Sequence, residues 1–322
     1  MITPPPPRGS RSLLDAEFLR QLGLLSLDSL GAIIAGLEGD RSGVRRSHFA
    51  EFADYRGYQP GDDLRLIDWH AYARLGELYV RTSLARHGLT LSLLIDCSRS
   101  MAPGNRTGWA SPAAQAAAHD KLHYAKQVAA ALGAVALLHG DAVRVYALGD
   151  GQAWPTAAFS GVEALGAFVE CLEQLPVRAR TWLPDCLRSS RQEAREWDVA
   201  VLLSDLLIPP EEDEALDWLG SAGGVLHIVA PAEEALNASA TDASATDASA
   251  VELQDAETGE VVAVTLTAPV AERYRRRLAA RARELADRCA RNGLRYVQAD
   301  PALPVADLVF GTLSEQRVLR RD

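Results

Sequence analysis

Five oxygen-bearing side chains sit at spacings that suit a hard divalent cation. Asp96, Ser98 and Ser100 occupy alternate positions directly after the apolar run Leu89–Ile95. Alternate residues of an extended chain point the same way, so one carboxylate and two hydroxyls gather on one side. Thr181 opens a later helical segment, and Asp205 follows a second apolar run, Val199–Leu203. Asp and Ser after a strand are also ordinary turn and cap residues, so the first three alone say little. With Thr181 and Asp205 at the ends of later elements, the set becomes a candidate oxygen site for Mg2+, with Mn2+ or Ca2+ as the other fitting cations. A coordination position left open there would accept a carboxylate from a protein partner.

Other chemistry is poorly supplied. Ser98 and Ser100 lack the Gly-x-Ser-x-Gly elbow of serine hydrolases, and no Gly-Lys-Ser/Thr phosphate loop occurs. His119 and His123 lie one helical turn apart around Asp120, Lys121 and Leu122, but no third ligand is evident, so a solvated helix side is expected rather than zinc. None of the seven histidines neighbours the five oxygen donors in sequence. A metal-dependent hydrolase is therefore the weakest reading and a non-enzymatic role the expected one. The arginines between Arg273 and Arg291 read as a solvated helix face, with docking of an acidic partner as the alternative.

The elements that must position these residues follow from patterning. The chain has 322 residues, 48% hydrophobic and 24% charged, which is ordinary globular usage. Uniformly apolar strands at Leu89–Ile95, Ala142–Leu148, Val199–Leu203 and Val225–Val229 alternate with helical stripes. These include a long helix through Leu122–Ala136, then Val162–Leu175, Glu212–Leu219 and Tyr274–Cys289. A short strand Arg295–Val297 and a last helix Ala302–Phe310 close the pattern. Such alternation predicts an α/β fold with a mostly parallel sheet covered by helices on both faces. Ligands in such sheets bind beyond the carboxyl ends of the strands, where the five residues fall.

Three regions are expected. Residues 1–14 form a proline-rich tail. Residues 15–86 hold two helical stripes, broken near Ser26–Ser29 and ending at Gly39, followed by a charged and aromatic strap. Residues 87–322 form the α/β domain, with a flexible insertion at about 233–250 built on the repeat Thr-Asp-Ala-Ser-Ala. A hairpin turning at Glu257–Gly259 should follow it.

A net charge of -10, with 32 acids against 22 bases after residue 90, argues against nucleic acid. The longest apolar run, Val128–Leu138, is about half a membrane span. With no apolar core of a signal peptide and four scattered cysteines, the expected location is cytoplasmic.

Asp96-Cys97-Ser98-Arg99-Ser100, Thr181 and Ser204-Asp205 resemble the metal-ion-dependent adhesion site of von Willebrand factor A domains. Upstream, Tyr58-Gln-Pro-Gly-Asp-Asp-Leu-Arg65 with Asp68-Trp69 and Arg74 resembles the signature of the bacterial domain-of-unknown-function family 58, whose members carry such a domain. Asp255-Ala-Glu-Thr-Gly-Glu260 fits the same family. The resemblance implies a Rossmann-like, six-stranded sheet with one antiparallel edge strand, plus an N-terminal extension. Ser98, Ser100 and Thr181 would be direct or near-direct ligands, and Asp96 and Asp205 would bind directly or through water. It also implies a protein-binding adaptor working beside a MoxR-type AAA+ ATPase in protein maturation or complex assembly. A metal-free interaction scaffold of the same fold is the alternative. Arg178 and Arg180 stand where such domains often carry glycines, and Leu206 replaces a glycine after the last aspartate.

Overall fold

A computed structural model describes residues 13–14, 16–23, 25–26, 54–57, 79–82, 89–102, 121–193, 198–219, 223–229, 249–315 and 320–321. The chain divides into two units, Leu37–Gly88 and the remainder. Within the smaller unit the described residues form one antiparallel pair, Asp54–Gly57 with Tyr79–Thr82. The strap residues Asp62, Arg65, Asp68 and Trp69 lie outside the described residues. So do the proline tail, the helix ending at Gly39, most of the repeat loop, and His119.

In chain order the elements begin with α1 (Ala16–Leu22), β1 (Leu25–Ser26), β2 (Asp54–Gly57), β3 (Tyr79–Thr82) and β4 (Thr90–Asp96). Next come α2 (Lys121–Leu138), β5 (Ala142–Gly149), β6 (Gln152–Pro155), β7 (Phe159–Ser160), α3 (Leu165–Glu173) and α4 (Leu183–Glu193). The last are β8 (Val199–Ser204), β9 (Gly223–Ile228), β10 (Ser249–Gln254), β11 (Val261–Leu266), α5 (Ala268–Arg291), β12 (Arg295–Ala299) and β13 (Arg320–Arg321). The central sheet runs β12-β9-β8-β4-β5-β6, with β7 also on β5. All pairings from β12 through β5 are parallel, and β6 and β7 join β5 antiparallel. This mostly parallel, Rossmann-like α/β architecture is the expected one. Among the described residues the sheet has seven strands, two of them, β6 and β7, running antiparallel along β5 at the edge.

Both faces of the sheet are covered, which is why its inner strands read as nearly continuous apolar runs. Leu91, Leu93 and Ile95 of β4 enter one core with Val128, Leu132, Val135, Phe168 and Leu172 from α2 and α3. Leu94, one step out of phase, enters the opposite core with Leu183 and Leu187 of α4 and Leu285 and Cys289 of α5. The same alternation splits β8 between Val201 and Leu203 on one face and Ala200 and Leu202 on the other. α2 is rich in small residues and buried around most of its circumference. At Gly133 it meets the Phe168 ring so closely that a Cβ would lie 2.2 Å from Cζ.

Three elements differ from the patterning. Leu25 belongs to a strand paired with Arg321, not to a helix, because α1 stops at Leu22 before Gly23. Pro210–Leu219 winds as a 3-10 helix. Three residues per turn align Asp213, Leu216 and Leu219, all buried, on one side. The last helix starts at Val305 after Pro304, and it passes through a π turn at Leu308–Thr312 on its way to Glu315. The hairpin is present, β10 pairing β11 from Ser249↔Leu266 to Gln254↔Val261, as a two-stranded sheet of its own.

Candidate functional site

The chain steps from β4 to β5 on one side and returns to β8 on the other, so strand order reverses at β4. Asp96 ends β4 and Ser204 ends β8, at the carboxyl edge of that switch point, where open α/β sheets leave a crevice.

Asp96 is the hub. Its carboxylate is buried and accepts the Thr181 hydroxyl at 2.5 Å and the Ser98 backbone N–H at 3.0 Å on Oδ1. The Ser204 hydroxyl donates to Oδ2 at 2.7 Å. Ser98 Oγ lies 2.8 Å from Ser100 Oγ, but the chain does not stay extended as the alternate spacing assumes. It turns, with the Met101 N–H on the Ser98 carbonyl at 3.1 Å, and the turn brings the two hydroxyls together. Burial, and next the charge of Asp205, push the Asp96 carboxyl above the usual range, while its hydrogen bonds pull the other way.

Asp205 lies next to Ser204 but turns to a different partner. Its Oδ2 is 2.5 Å from the Lys121 ammonium, both side chains being buried, and its Oδ1 accepts the Leu207 N–H at 3.2 Å. Its main-chain carbonyl lies 3.0 Å from Nε2 of His227, whose Nδ1 is 2.5 Å from the Tyr296 hydroxyl. Burial pushes His227 down to about 4, so the ring is neutral at pH 7. Asp205, Lys121, His227, Arg281 and Tyr296 border a groove of about 460 Å³.

The loops around the site hold unusual backbone. Among the described residues, three non-glycine positions have positive φ: Asp150 (49°), Trp182 (44°) and Leu206 (48°). Trp182 follows Thr181 and Leu206 follows Asp205. A left-handed residue outside glycine costs about 1–3 kcal/mol and persists only where surroundings impose it. Here they do. Asp150 N–H donates to the Arg180 carbonyl at 2.5 Å, its carboxylate takes the Ala179 N–H at 3.1 Å, and the Arg178 N–H reaches the Cys97 carbonyl at 2.6 Å. Arg178 is thereby tied down, its guanidinium 3.9 Å from the Trp154 ring centre. Trp182 and Leu207 are left exposed beside Thr181 and Asp205.

A third carboxylate completes the site. Glu257, in the β10–β11 turn, accepts the Ser100 hydroxyl at 3.2 Å and pairs with Arg180 at 3.5 Å. Burial, then the charges of Asp96 and others, raise it to about 7.

The structure therefore joins Asp96, Ser98, Ser100 and Thr181 in one hydrogen-bonded chain and places Asp205 beside them, in an ion pair. Sequence reasoning missed Lys121, Glu257 and His227, and it left Ser204 outside the ligand set. One signal for Lys121 was available. Of 33 basic residues only Lys121 and Lys126 are lysines, and both are buried, whereas the outer surface is charged with arginine.

The donor set fits a hard cation. It is made of hydroxyls and carboxylates, and its acids raise one another's proton affinity, a repulsion that bound positive charge relieves. Among the described residues, His, Cys, Asp and Glu alone form no metal-holding group of three. Ser98, Ser100 and Thr181 would therefore have to supply much of the coordination.

Fold and edge together define an open α/β protein with an oxygen-rich site at its topological switch. The chain belongs to the family described as Protein of unknown function DUF58, whose model matches residues 54–286. It is similar to the uncharacterized protein Rv1480 of Mycobacterium tuberculosis, at 27% identity over 279 residues, 84% of this chain and 80% of that one. Mb1516 of Mycobacterium bovis, also uncharacterized, matches at the same 27% identity and coverage. Among the described residues no helix is long and apolar enough to cross a membrane.

Proposed function

We propose that this chain is a non-enzymatic, cytoplasmic adaptor that recognises a protein carboxylate through a Mg2+-dependent site of the von Willebrand factor A kind. In this reading it works with a MoxR-type AAA+ ATPase in protein maturation or complex assembly. The observation that carries the reading is the convergence of Thr181, Ser98 and Ser204 on the buried Asp96 carboxylate, with Ser100 bonded to Ser98. Ser98, Ser100 and Thr181 would hold the cation directly, and Asp96 and Asp205 directly or through water. When bound, the cation supplies a Lewis-acidic position for an incoming carboxylate. The protein's own contribution is to fix the donors. Asp96 orients the Thr181 hydroxyl and the Ser98 loop, and Trp182 and Leu207 offer apolar contacts beside them. His227 is poorly suited to act as a general base, since both ring nitrogens are engaged and the ring is buried.

One observation favours a second reading, a metal-free interaction scaffold. The Lys121 ammonium already neutralises Asp205 at 2.5 Å. Calorimetric titration of Mg2+ into wild type and Asp96→Ala separates the two. Heat in wild type alone supports the adaptor, and absent or equal heats support the scaffold. Co-precipitation of a MoxR-type ATPase that is abolished by chelator and by Asp96→Ala supports the partnership. Recovery that is indifferent to both contradicts it.

A further inference from the structure

The β10–β11 hairpin is not hydrogen-bonded into the central sheet, yet the tip of its turn reaches the serine pair. The turn is tightly fixed. Asp255 Oδ1 accepts the N–H groups of Glu257 at 2.8 Å and Thr258 at 2.7 Å. The Asp255 carbonyl takes the Gly259 N–H at 2.9 Å, and Gly259 adopts φ 76°, the left-handed conformation that lets the chain turn back. Asp255 N–H closes the loop on the Glu260 carbonyl at 2.8 Å. Among the acids of this turn, Glu257 alone is drawn inward, its side chain 18% exposed, with Oε1 on Ser100 and Oε2 on Arg180.

We infer that Glu257 is a built-in carboxylate ligand of this site, seated where an incoming partner's carboxylate would bind. The inference rests on the cation-binding reading above. Three features argue for it beyond proximity. Glu257 bonds to Ser100, one of the hydroxyls that would hold the cation, rather than to a peripheral group. It is placed there among other acids, Asp96 and Asp205, whose charges oppose it. Arg180, which comes one residue before Thr181, grips its other oxygen and so fixes the carboxylate's orientation. A partner's acidic side chain must displace Glu257, and because the hairpin is a separate two-stranded sheet, it can lift without breaking a bond of the central one.

The test uses the full chain with Mn2+ as the probe, counting metal-bound waters by electron–nuclear double resonance in isotopically labelled water, with affinity read from the free-ion signal. Glu257→Gln should weaken Mn2+ binding by about tenfold, as losing one ligand or its close support does, and should add one bound water. Glu257→Asp is one methylene too short to reach. It should show the same extra water although its charge is retained, which separates ligation from electrostatics. Circular dichroism checks that each variant is folded. Unchanged water count and affinity in both variants, with Mn2+ bound, overturn the inference and leave the cation-binding reading standing. Wild type that takes up no Mn2+ overturns both.

Discussion

The Thr181 hydroxyl donates to Oδ1 of Asp96 at 2.5 Å across 85 residues of sequence, joining the end of β4 to the turn that leads into α4. Both groups are buried, so the bond fastens the site together as well as orienting it. Thr181→Val keeps the shape and removes the donor. It should cost about 1–3 kcal/mol of stability, the penalty for leaving a buried acceptor short of a partner. It should also lower Mg2+ affinity, and Thr181→Ser should recover both. Urea unfolding without metal, followed by calorimetry, measures the two effects separately.

Lys121 and Asp205 form the site's buried ion pair. Lys121→Met leaves an uncompensated buried carboxylate, expected to cost about 3–5 kcal/mol without metal. The double variant with Asp205→Asn should lose less than the sum of the two single changes. If the adaptor reading holds, saturating Mg2+ should restore part of the stability of Lys121→Met, because a cation then faces Asp205 again. Thermal unfolding with and without Mg2+ reads this directly.

At Gly133, α2 meets the Phe168 ring of α3 with no room for a side chain. Gly133→Ala gains helix propensity but drives a methyl into the ring, and overpacking of this kind costs about 1–3 kcal/mol. A compensating Phe168→Leu should recover part of the loss. A stable single variant would show that the helices are further apart than described.

His227 is held down at about 4 by burial, against an ordinary 6.5. The folded state binds fewer protons than the unfolded one between these values, so the group's contribution to stability is present above pH 6.5 and lost as pH falls toward 4. At about 1.4 kcal/mol per pH unit, the gap between 6.5 and about 4 is worth about 3 kcal/mol. The raised carboxyls of Asp96 and Glu257 act in the opposite sense, so the informative quantity is the difference between wild type and His227→Gln. That difference should shrink as the solution is acidified through this window. A difference independent of pH would contradict the assignment.

Much of the fold was legible because burial on two faces leaves a strong mark: β4, β5, β8 and β9 are dominated by apolar residues, with Ser92, Arg144 and His227 as isolated interruptions. Asp96, which ends β4, and Asp205, which follows β8, stand at positions that periodicity locates. Ser98, Ser100 and Thr181 lie in the turns beside β4 and α4 and were singled out by residue type and spacing. Glu257 was not. Its turn was predicted, but nothing local says that the hairpin tip meets Ser100 rather than solvent. Lys121 was read as part of a solvated helix side. The helix in fact buries nearly its whole circumference, so its first residue points into the sheet edge and meets Asp205. The 3-10 winding of Pro210–Leu219 escaped for a related reason. Asp213 is drawn inward by a two-pronged pair with Arg281, both contacts at 2.5 Å, and that partner lies 68 residues away.

The most direct measurement is anomalous diffraction from crystals of the full chain grown with MnCl2. A single strong peak within bonding distance of the hydroxyl oxygens of Ser98, Ser100 and Thr181, absent in Asp96→Ala crystals, is the predicted result. No peak at that edge at saturating Mn2+, with Lys121 still seated on Asp205, would contradict the cation site and leave the metal-free scaffold as the function of this edge.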